Sequence, residues 1–126
     1  MPYTITEQNR EQRFLVNLPV HAEWDEERTG QHIIAEGTTE NVGPAGAVVV
    51  FQQLPAVGSH IRISVENPRG SRIETIAEVI RLVRDLQQPT ASLSVVTGQK
   101  QWRGEVWEPA GIEAAKVAEQ SDDAKK

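Results

Sequence analysis

Residues 13–24 read RFLVNLPVHAEW, and this stretch decides the fold class. Phe14, Val16, Leu18, Val20, Ala22 and Trp24 alternate with Leu15, Asn17, Pro19, His21 and Glu23. Strict alternation with a period of two puts one set of side chains on one face of an extended chain, so the segment is a half-buried β-strand. Pro19 has no N–H to give to a ladder, which predicts a sheet edge or a bulge at that point. HIRISVE at 60–66 repeats the pattern, with Ile61, Ile63 and Val65 on one face.

Working outward, the other segments follow the same grammar. DEERTG (25–30) is a charged turn, and Gln31 to Glu40 is a second strand centred on Ile33, Ile34 and Ala35. NVGPAG (41–46) holds two glycines and a proline, which breaks regular structure before the strand AVVVF (47–51). NPRG (67–70) is a hairpin signal. Residues 71–84 fit two periods. Ile73, Ile76, Ala77, Ile80 and Leu82 approximate a helix; Ile73, Thr75, Ala77, Val79 and Val83 approximate a strand. The preceding hairpin and the β-branched content favour the strand. ASLSVVT (91–97) and QWRGEVW (101–107) read as two further short strands. Pro109 marks a boundary, GIEAAKVAEQ (111–120) a short helix, and SDDAKK (121–126) a solvated tail. The expectation is an all-β, small antiparallel barrel of six to seven strands with a short C-terminal helix. The segments divide as a flexible lead-in at 1–8, the barrel at 9–109, and the helix with a disordered tail at 110–126.

Composition sets the limits on function. At 126 residues the chain forms one domain with a modest core, and the absence of cysteine excludes disulfides, thiol catalysis and thiolate metal sites. A formal net charge of −5 argues against a general DNA- or RNA-binding surface. No apolar run approaches the roughly 20 residues of a membrane helix, and the N-terminus has no signal-peptide pattern, which predicts a cytoplasmic protein without membrane insertion. His21, His32 and His60 share no metal-ligand spacing, and no serine sits in a nucleophile-elbow pattern. The acidic run Asp25, Glu26 and Glu27 is a turn tip. The sequence gives no support to an enzyme, a metal or a cofactor.

Two features suit an anionic ligand, and each also has a plain reading, the arginines as solvated charges and the loop as a turn. Arg10 and Arg13 precede the first strand, and an arginine fork can give two parallel bonds to a phosphodiester or a guanine edge. The loop Asn41-Val42-Gly43-Pro44-Ala45-Gly46 can turn backbone N–H groups toward an anion.

Taken in order, Arg13 before Leu18-Pro19-Val20, then Asn41 to Gly46, then AVVVF, then QQLPAVGSHIRISV (52–65), the chain resembles the PilZ domain family. The resemblance covers residues 9–83, with a looser fit to Trp107. It implies a PilZ-like barrel and a non-catalytic regulatory role in bacterial second-messenger signalling, with cyclic di-GMP as the ligand. Arg10, Arg13, Asn41, Gly43 and Gly46 are the implied ligand-binding residues. It also implies a protein partner that senses the ligand-bound state. Two positions depart from the family pattern. The first motif arginine falls at Asn9, one residue from Arg10, and the motif serine is Gly43. The alternative is a PilZ-like domain that has lost the nucleotide and acts through protein–protein contact alone.

Overall fold

The computed structural model describes residues 3–5 and 12–124, with side chains described over 12–116. Eight strands come first: β1 (Tyr3–Ile5), β2 (Gln12–Phe14), β3 (Pro19–Asp25), β4 (His32–Gly43), β5 (Gly46–Phe51), β6 (His60–Glu66), β7 (Arg72–Val83) and β8 (Thr90–Val95). A helical segment ends the chain: α1 (Gln99–Trp102), a π-helical turn (Arg103–Trp107) and α2 (Glu108–Ala124).

Six strands close a barrel in the order β4-β3-β6-β7-β8-β5, with β5 returning to pair with β4. Every pairing is antiparallel. Closure needs strands that bend, and the two 12-residue strands each carry a register shift, between Thr39 and Asn41 in β4 and between Val79 and Arg81 in β7. The β1–β2 pair lies outside the ring and joins β4 through Phe14 opposite Val42. The lead-in read as flexible therefore contributes strand β1.

The expected alternation forms the core. Val20, Ala22 and Trp24 of β3 and Ile61, Ile63 and Val65 of β6 are buried. In β7, Ile73, Thr75, Ala77 and Val79 point inward, whereas Ile80 is 52% exposed, so residues 73–79 obey the strand period and not the helical one; beyond the register shift after Val79 the alternation is lost and Val83 is exposed. Strand β3 pairs on both sides and is not an edge. Pro19 is tolerated because it is the first residue of the strand, one step before pairing with β6 begins at Val20.

The reading of the C-terminal segment fails. Residues 101–107 are helical, not a seventh barrel strand. The buried side chains Trp102, Val106, Ala110 and Ala114 fall at every fourth position, and this stripe packs the segment onto the barrel. Pro109 does not end the helix. Its ring displaces the carbonyl of Glu105, four residues back, and a π-helical turn precedes it. The released Glu105 oxygen accepts a bond from Asn67 Nδ2 at 2.8 Å. Asn67 Oδ1 also accepts from the amides of Arg69 (3.0 Å) and Ser71 (2.9 Å), so one buried side chain shapes the β6–β7 turn and ties it to the helix. The backbone helix continues to Ala124, through most of the segment read as a tail.

Candidate functional site

The site is built where β2 crosses the end of β4. Residues 15–18 leave β2 without strand pairing, and Thr39 fixes their path. Its buried hydroxyl donates to Val16 O (2.6 Å) and accepts from Leu18 N (2.7 Å), and its amide donates to Leu18 O (2.9 Å). The bulge beside Thr39 resets the register of β4, so Asn41 and Gly43 follow on one face and Val42 turns into the core.

Arg13 reaches that face. Its Nε donates to Asn41 Oδ1 at 2.6 Å. Its guanidinium also covers Gly43: a β-carbon there would stand 2.5 Å from Nη1 and 2.9 Å from Cζ. Arg13, Asn41 and Gly43 thus form one cluster from segments about thirty residues apart. Gly43 lies opposite Gly46 across the two-residue turn Pro44-Ala45. Gly46 is bare for packing reasons, because a β-carbon on it would fall 2.1 Å from the carbonyl oxygen of Leu93. Arg10 lies outside the described residues.

The helix holds both halves of this cluster, a role the sequence reading missed. Trp102 is fully buried and its indole N–H donates to Gly43 O at 3.0 Å. Trp107 donates to Gln12 O at 2.8 Å and stacks on Phe14, with ring centroids 5.7 Å apart and planes inclined by 32°. Gly111 gives Phe14 room, since a β-carbon there would lie 2.7 Å from its ring. The fourfold spacing 102-106-110-114 carried the signal for the helix. Nothing in the sequence points to the carbonyls that the two indoles reach.

The histidines lie elsewhere. His21 Nδ1 faces Glu36 at 3.1 Å, and His32 Nδ1 faces Asp25 at 2.8 Å, on the outer surface of β3 and β4. The hydrogen bond to Asp25 raises the pKa of His32 above its usual value, opposed by desolvation and assisted by the charges of Asp25 and Glu23. Asp25 and His32 sit at the end of β4 away from Gly43, about 35 Å along the strand. Among the described residues no group of three acidic or histidine side chains is placed to hold a metal ion, and no helix is long and apolar enough to cross a membrane.

Solved structures share this architecture. Escherichia coli YcgR in complex with c-di-GMP superposes with a TM-score of 0.69 at 11% identity, covering 94% of this chain and 51% of that one. The Bacillus subtilis inhibitor of motility, MotI/DgrA, gives 0.62 at 20% identity, over 88% and 54%. The PilZ domain of Escherichia coli YcgR with c-di-GMP gives 0.63 at 13% identity, over 93% and 98%. The chain has the fold of a PilZ domain. It spans about half of the first two proteins and nearly all of the isolated domain. No protein-family model and no curated protein matches it.

Proposed function

We propose that the chain is a non-catalytic regulatory module that binds cyclic di-GMP at the cluster of Arg13, Asn41 and the Gly43–Gly46 turn. The convergence of Arg13, Asn41 and Gly43 carries this reading. The presence of c-di-GMP in two solved structures of the same fold supports it. The ligand is a dianion with two guanine edges, and an arginine fork can serve either group. The Asn41 amide and the backbone of the turn supply neutral hydrogen-bond partners. Such a ligand is a cytoplasmic messenger, and the reading therefore carries a location inside the cell with it. A ligand that draws Arg13 away from Asn41 would also move β2, and Trp107 links β2 to the helix, so a partner protein could read occupancy there.

A second reading has its own observation. Arg13 is already seated on Asn41 and fills the space over Gly43, where the motif has a serine, as it would in a domain that serves protein contacts alone. Calorimetric titration with cyclic di-GMP decides between them. The proposal expects saturable binding to the wild type and a loss of about 10- to 150-fold or more in Arg13→Ala, from a charged contact of about 1.5–3 kcal/mol. No heat and no change in melting temperature at millimolar ligand would replace it with the protein-contact reading.

A further inference from the structure

We infer that Arg103, on the π-helical turn, is a second ligand-binding cation of this site; the inference rests on the cyclic di-GMP reading above. A dianion calls for more than one positive charge, above all on a chain whose net charge is −5, and among the described residues the cluster brings Arg13 alone.

The register of the helix against β2 places Arg103. Residues 103, 107 and 111 follow one another at four-residue steps, the first along the π-helical turn and the second into α2. Gly111 packs on Phe14, and Trp107 packs on Phe14 and bonds to Gln12 O. The order 111, 107 therefore runs from Phe14 toward Gln12. The Arg103 guanidinium lies 5.3 Å from the ring centroid of Trp107, whose indole bonds to Gln12, the sequence neighbour of Arg13, so Arg103 stands close to the start of β2. Its sequence neighbour Trp102 bonds to Gly43 O, so Arg103 is bracketed by the two segments that supply Arg13 and Gly43.

The side chain is also preorganised. Its Cζ lies 5.3 Å from the Trp107 ring centroid, a cation–π distance that holds the guanidinium while the residue stays exposed. Among the described residues it makes no ion pair. A guanidinium stacked on an indole keeps its N–H edge turned outward, where it can meet a phosphate in the plane of the fork or lie against a base.

The test is titration of the full chain with cyclic di-GMP in wild type, Arg103→Met, Arg103→Lys and Arg84→Met. Methionine keeps an apolar stem over Trp107 and removes the charge. Lysine keeps the charge and removes the fork. Arg84→Met is an exposed control for net charge. The assignment expects Arg103→Met to weaken binding about ten-fold or more, Arg103→Lys to fall between it and wild type, and Arg84→Met to bind as wild type. Melting temperatures of the free proteins should agree within about 2 °C, since an exposed substitution of this kind leaves the fold nearly unchanged. Wild-type affinity in Arg103→Met, with binding abolished in Arg13→Ala, overturns this assignment and leaves the functional reading standing. No binding by wild type overturns both.

Discussion

Gly43→Ser probes the packing of Arg13 against Asn41 and Gly43. A β-carbon at 43 would stand 2.5 Å from Arg13 Nη1, about 1 Å inside ordinary contact, so the guanidinium must move. Moving it breaks the 2.6 Å bond from Arg13 Nε to Asn41. A charged hydrogen bond contributes about 1.5–3 kcal/mol, and partial exposure of this one reduces the expected loss to about 0.5–1.5 kcal/mol. The backbone adds nothing, because Gly43 is not among the glycines with positive φ. In an Arg13→Ala background the obstruction and the bond are both gone, and Gly43→Ser should then be close to neutral. Urea unfolding of the four proteins in this cycle should give a coupling of about 0.5–1.5 kcal/mol. Additivity within about 0.3 kcal/mol would refute the packing of Arg13 on Gly43. With cyclic di-GMP present, the new hydroxyl and the released guanidinium should raise affinity even as the free protein loses stability. A fall in both would contradict the site.

Two further substitutions test other parts of the account. Asn67→Ala removes three side-chain bonds and strands the Glu105 carbonyl that Pro109 releases, so urea unfolding should show a loss of about 2–4 kcal/mol; a loss under about 1 kcal/mol would mean that water replaces the amide. For His32 the folded pKa is raised, so its bond to Asp25 stabilises the fold fully below the unfolded value near 6.5 and fades as pH rises through the folded pKa. The melting-temperature difference between wild type and His32→Gln should therefore be largest under acid conditions and close at alkaline pH, and a difference that grows with pH would reverse the assignment.

The barrel was legible because its strands are half-buried. Val20, Ala22 and Trp24, like Ile61, Ile63 and Val65, each need one face in the core, and a period of two is the only pattern that provides it. The ambiguous residues 71–84 resolved for the same reason: Ile76 and Ile80 satisfy a helical spacing on paper but point away from the core of a strand. The helix at 99–124 was misread because Pro109 usually ends or begins a helix. Here a π-helical turn and the Asn67 side chain absorb it, and that compensation sits 38 residues away in sequence. Within the site, the order of the motifs pointed to Arg13, Asn41 and Gly43. The tie from Trp102 to Gly43 and from Trp107 to Gln12 depends on how a helix lies across two strands, which no local pattern encodes.

The most direct test of the central claim is a nitrogen–proton correlation titration of the labelled protein with cyclic di-GMP. The three tryptophans provide an internal comparison. Trp102 and Trp107 bond to the two halves of the site, while Trp24 lies near the opposite end of the barrel, opposite Ile33. The account predicts saturable shifts of the Arg13, Phe14, Asn41 and Gly43 amides and of the Trp102 and Trp107 indole signals, with the Trp24 indole unmoved. An unchanged spectrum at millimolar ligand, or shifts confined to the Trp24 end, would contradict it.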